Sequence, residues 1–145
     1  MTQVPLDALQ AALATEHAAV WAYGLAGAFL PEALAGQLSQ AVAAHQARRD
    51  ATERALIDAG AVPVQAEPGY VPPDPVTDAA SALRLVITVE TDAAAAWRSV
   101  VGRSPAGPGL RAAALDALTR AAVQATHWRA AAGTTPSTVP FPGAL

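Results

Sequence analysis

At 145 residues and 14.6 kDa the chain has room for one ordinary domain with a sizeable core and little room for a second. Hydrophobic residues make up 52% and charged residues only 14%, against about 25% charged in typical domains, which excludes disorder; apolarity carried by alanine rather than by β-branched or aromatic side chains predicts an all-α fold. The net charge of −3, with all nine basic residues Arg and none in a run, excludes a nucleic-acid footprint, and the absence of Cys excludes disulfides, thiolate zinc sites and a cysteine nucleophile.

Proline and glycine divide the chain into four long segments. From about residue 6 to 30, Leu6, Leu9, Leu13, Val20 and Tyr23 recur at helical spacing, with Pro5 at a permitted helix start and Pro31 ending the run. A second helix over about 32–59 carries Leu34, Leu38, Val42, Thr52 and Leu56 on one stripe and is closed by Gly60. The turn between them is tight, so the pair is antiparallel. Residues 60–77 hold five prolines and cannot be helical. At about 3.1 Å per extended residue this segment spans roughly 55 Å, longer than the roughly 40 Å of each helix. It can therefore carry the chain from one end of a bundle to the other. Thr77 or Asp78 caps a third helix over about 78–101, with Leu83, Val86, Ala93, Trp97 and Val100 inward and Gly102 as its stop. Pro108 opens a fourth helix over about 108–132, ended by Gly133, and a Pro-rich tail over 133–145 lies extended on the surface. The expected architecture is an all-α, ferritin-like four-helix bundle, residues 1–145 forming one domain: two antiparallel hairpins joined by a long Pro-rich crossover.

No N-terminal basic stretch precedes an apolar run, and the uncharged run from Ala18 to Pro31 is too short and too rich in Ala and Gly to span a bilayer. The expectation is a cytoplasmic protein with no membrane and no nucleic-acid partner.

The informative residues interrupt the apolar stripes. Glu16 shares a face with Leu9, Leu13, Val20 and Tyr23; His45 and Arg49 share one with Leu38, Val42, Thr52 and Leu56, with Arg48 at its edge; Glu90 lies between Val86 and Ala93. Their heights agree, since Glu16 lies 14 residues before the end of the first helix, His45 13 after Glu32, and Glu90 about 12 into the third helix. Buried carboxylates without partners cost several kcal/mol each, so the cluster must be satisfied by a cation, by Arg or by shared protons.

The strings Glu16-His17-Ala18-Ala19-Val20-Trp21-Ala22-Tyr23-Gly24, Ala44-His45-Gln46-Ala47-Arg48-Arg49-Asp50, Pro75-Val76-Thr77-Asp78 leading to Glu90, and Pro140-Phe141-Pro142-Gly143 resemble a small, alanine-rich bacterial ferritin-like family of unknown function. The resemblance covers nearly the whole chain and implies a ferritin-like bundle without an established activity. In the wider di-iron pattern, helices one and three each carry a Glu, and helices two and four each carry a Glu-x-x-His. Glu16, Glu90 and His45 match three of those positions. Val42 stands where helix two should have its Glu, and helix four offers only Gln124-Ala125-Thr126-His127, on a face shared with Asp116 and Arg120 that reads as solvent-facing.

Three functions are compatible with these residues. In the favoured one the metal site is degenerate, Arg48 or Arg49 takes the ion's place beside Glu16, His45 and Glu90, and the protein is non-catalytic, acting through self-association as a homodimer or through protein binding. No cofactor is then expected. In the second, Glu16, His45 and Glu90 bind one iron or manganese ion in a mononuclear metal-binding or redox enzyme. In the third, the many alanines leave core space for a small molecule. His17, about 100° around the helix from Glu16, reads as a boundary or surface residue, and Trp21, Leu25 and Phe29 form a second apolar strip suited to self-association.

Overall fold

The computed structural model describes residues 3–107 and 109–144; the expectation that Pro108 opens the fourth helix lies outside them. Among the described residues four helices form: α1 (Leu6–Gly27), α2 (Ala35–Asp58), α3 (Ala79–Arg103) and α4 (Leu110–Ala131), with a 3₁₀ turn over Glu32–Leu34. Helix α1 stops three residues before its expected end. Pro31 has no N–H to continue the ladder and disfavours a helical residue before it, so the chain tightens through Ala28 N–H to Leu25 O and Phe29 N–H to Ala26 O. The residues expected to start α2 form the 3₁₀ turn instead. Helix α3 starts behind Asp78, whose carboxylate accepts from the Ser81 backbone N–H at 2.8 Å, while Ser81 Oγ accepts from the Asp78 N–H at 3.0 Å. It runs past Gly102, which near a helix end costs little, and stops at Ser104.

Cross-helix contacts give the topology. Glu16 meets His45 and the Gly27 backbone approaches Leu38, so α1 and α2 are antiparallel; Glu16 meets Trp97 and Tyr23 meets Glu90, so α1 and α3 are antiparallel as well. Helices α2 and α3 therefore run parallel, the single-crossover arrangement of a ferritin-like bundle. The crossover travels along α1. Gln10 both donates to Val62 O and accepts from Val64 N–H, His17 Nε2 lies 3.0 Å from Val64 O, Tyr70 packs on Trp21 with ring centroids 5.7 Å apart, and Val76 joins the upper core.

The core has two apolar halves. One is built on Leu9, Leu13, Leu56, Trp97 and Val100, the other on Tyr23, Ala26, Val86, Val89 and Trp128. Alanines supply much of both, letting the helices approach closely. The close packing runs through α1 and α3: α1 packs on α2 and α3, and α3 on α4, whereas α2 and α4 hardly touch. Only Ala41, His45, Thr52 and Leu56 of α2 are buried. A cleft of about 270 Å³ opens between α2 and α4 at the level where the two apolar halves meet. No helix among the described residues is long and apolar enough to cross a membrane.

Candidate functional site

At mid-depth the bundle buries Glu16, His45 and Glu90, none more than 1% exposed. Each sits on its helix's apolar stripe, so packing of the flanking Leu, Val and Ala residues forces the polar groups together. His45 Nδ1 is 2.6 Å from Glu16 Oε2, and His45 Nε2 is 2.7 Å from Glu90 Oε1. A neutral imidazole can donate through one nitrogen only. Two ionised carboxylates, one at each nitrogen, therefore require the imidazolium. Burial opposes that charge, but the hydrogen bonds to Glu16 and Glu90 and their negative charges outweigh it and push the His45 pKa up to about 9.

Glu16 is saturated. Burial would raise its pKa, yet donation from His45, the charges of His45 and Arg48, and the Trp97 indole hold the carboxyl below its ordinary range. Arg48 Nε donates to Glu16 Oε1 at 3.0 Å and Trp97 Nε1 donates to the same oxygen at 2.8 Å. Arg48 Nη2 also lies 3.0 Å from His45 Nδ1; because both nitrogens carry protons, this is a contact between cations bridged by the same carboxylate. On the other side, Tyr23 donates its hydroxyl proton to Glu90 Oε1 at 2.5 Å and receives the Trp128 indole N–H at 2.7 Å. Burial, the Glu90 charge and that hydrogen bond drive the Tyr23 pKa far up, so the phenol stays protonated. Two carboxylates, one imidazolium and one guanidinium leave the cluster neutral.

Glu90 Oε2 is the exception. It is buried without a hydrogen-bond partner among the described residues, as is Gln124 Nε2, and Glu90, His45, Arg48 and Gln124 all line the α2/α4 cleft.

The sequence-derived cluster thus assembles with one correction. Arg48 enters it, whereas Arg49 turns away, half-buried, and pairs with its neighbour Asp50 at 2.8 Å. The 100° between consecutive helical residues allows only one of the two to reach inward. His127 is exposed, as its face suggested. His17 is a second correction: it is buried, 8% exposed, because the crossover covers it, and its ring lies 3.0 Å from Val64 O and 3.6 Å from Glu53 Oε1. The Trp21–Leu25–Phe29 strip is half-buried against the upper core, with Tyr70 over Trp21. The helical spacing reads Tyr23 and Trp97 as apolar packing; together with Trp128 they are the donors that complete the network. A signal existed for two of them. Tyr23 lies seven residues after Glu16 and Trp97 seven after Glu90, so antiparallel pairing of α1 with α3 must set each donor against the other helix's carboxylate.

The donor set does not fit a shared ion. Glu16 and Glu90 lie against opposite edges of the His45 ring, both ring nitrogens are engaged, and a guanidinium occupies the Glu16 side. Among the described residues no group of three or more His, Asp or Glu is arranged to hold a metal ion.

Residues 8–145 match a family described as "Domain of unknown function (DUF4439)". No curated protein matches the chain. Among solved structures it is similar to the crystal structure of a conserved hypothetical protein, rv2844, from Mycobacterium tuberculosis, with 38% identity, a TM-score of 0.84, and coverage of 86% of this chain and 94% of that one. A match over nearly the whole length, joined to a shared four-helix architecture, shows that the chain belongs to the DUF4439 family.

Proposed function

We propose that this protein is a non-catalytic ferritin-like bundle in which a neutral ion-pair network stands where related bundles hold metal, and that it acts by association and binding rather than by turnover. The observation that carries the reading is His45 held between Glu16 and Glu90. Its imidazolium takes the central position an ion would need, and Arg48 supplies the second positive charge. In such a cluster both nitrogens of His45 are engaged and the protons are held between strong partners, which suits structure more than proton transfer.

For association, the surface we favour is α4 beside the tail, where Leu115, Val123 and Val139 are each about half-exposed and Val123 and Val139 line one apolar groove. A homodimer through this face fits the low charge of the chain.

The mononuclear metal reading is the competitor, and elemental analysis separates the two. Purified protein incubated with iron, manganese or zinc and then desalted should retain less than about a tenth of an equivalent. Stoichiometric metal that disappears in His45→Ala would overturn the proposal.

A further inference from the structure

Two polar atoms at the bundle centre, both on residues that line the α2/α4 cleft, are left out of the network. Glu90 Oε1 takes both the Tyr23 hydroxyl and His45 Nε2, while Glu90 Oε2, on a side chain 1% exposed, has no donor among the described residues. Leaving a carboxylate oxygen unpaired in such a place costs more than leaving a neutral group. Across the cleft, Gln124 Nε2 is buried without an acceptor among the described residues. An orphan acceptor and an orphan donor lining one cleft form a complementary pair of recognition groups, not two separate flaws. Arg48 adds guanidinium N–H groups that Glu16 does not use, and Arg120 stands in the same wall with its Nε already on Asp116.

We infer that the α2/α4 cleft is a binding site for a compact, net-neutral polar molecule that presents an N–H donor to Glu90 Oε2 and a carbonyl or carboxylate oxygen to Gln124 and Arg48, the chemistry of an amino-acid zwitterion or a primary amide. The volume, about 270 Å³, exceeds what one water or one ion fills, at about 30 Å³ per water, and falls below that of a typical drug-sized pocket. Alanine at positions 41 and 44 keeps the α2 wall low. Charge sets the ligand class. Glu16 and Glu90 are balanced by His45 and Arg48, and Asp116 pairs with Arg120, so a ligand with net charge of either sign would leave a buried charge uncompensated. A zwitterion or amide satisfies both orphan atoms without doing so. Only this neutrality rests on the ion-pair reading above, and the two fail separately: metal uptake is read by elemental analysis, cleft occupancy by resonance shifts.

The test is a titration of ¹⁵N-labelled protein with L-alanine, L-glutamine and acetamide, and with acetate and ethylamine as the charged halves, following the indole N–H signals of Trp97 and Trp128. Trp128 reports on Glu90 through Tyr23, so a neutral ligand should shift its signal saturably, with acetate and ethylamine binding at least about tenfold more weakly. Gln124→Leu, which removes the donor on a part-exposed helix face, and Ala44→Leu, which fills the cleft, should each weaken binding about tenfold or more, while Gln10→Ala on the crossover side leaves it unchanged. No saturable shift with any of the three neutral probes, equal response to the charged halves, or undiminished binding in both cleft variants would overturn the assignment.

Discussion

His45 concentrates the pH sensitivity of the molecule. Its ordinary pKa of 6.5 rises to about 9 in the fold, so the stabilisation it provides is fully present below about pH 6.5 and is lost as pH climbs through 9. That difference amounts to about 3 kcal/mol. Urea unfolding from pH 6 to 10 should show this decline in the native protein, whereas His45→Gln, which cannot titrate, should start lower and lack it. Glu16 works in the opposite direction: its lowered pKa contributes stability above its ordinary value of 4.5 that is lost in stronger acid. Because Glu16 answers His45, Arg48 and Trp97 at once, Glu16→Leu removes the acceptor of the Arg48 guanidinium and the Trp97 indole and leaves Glu90 alone against two positive charges. We expect it to cost about 3–5 kcal/mol in chemical denaturation, enough to prevent folding in a marginal domain. Arg49→Ala should cost under about 1 kcal/mol, since its partner Asp50 is solvent-exposed.

At the level of elements, two non-helical segments are held more specifically than their composition suggests. The crossover is fastened by the paired bonds of Gln10 with Val62 and Val64, by His17 against Val64 and by Tyr70 on Trp21. The tail is seated on α3 through Gly143. Its φ is +80°, and a Cβ there would lie 2.6 Å from Ala94 O and 2.9 Å from Arg98 Cβ, while Arg98 Nη1 donates to Pro142 O. Backbone and neighbour together exclude any larger residue. Gly143→Val should lift the tail from α3, and limited proteolysis should then cleave within residues 133–144 well before the helices, which keep their far-ultraviolet signal. Equal cleavage rates in the two proteins would show that the tail is not held there. The proline content of both segments was plain in the sequence. Their docking partners were not, because Gln10 and His17 look like ordinary surface positions until another segment is laid across them.

For the molecule as a whole, the polar layer divides the core into two apolar halves and α1 and α3 tie those halves together. The weakly packed side, between α2 and α4, is where the cleft opens, and Val123, on the α4 face beside the tail, lines that cleft as well. If this α4 face joins two copies, sedimentation should show a dimer that Leu115→Glu or Val123→Glu converts to monomer without loss of helicity. A native protein that sediments as a monomer at every concentration would end that assignment.

What the sequence determined by itself is the helix count, the crossover and the meeting of Glu16, His45 and Glu90, because helical periodicity puts each residue on a face and chain connectivity puts each face at a height. What only the tertiary structure decided is which groups complete the cluster and which do not. The choice of Arg48 over Arg49, the aromatic donors at Glu16 and Glu90, and the unpaired atoms at the cleft all depend on directions and gaps between helices. Those follow from packing side chains of unequal size across a shared core, and no one-dimensional pattern encodes them.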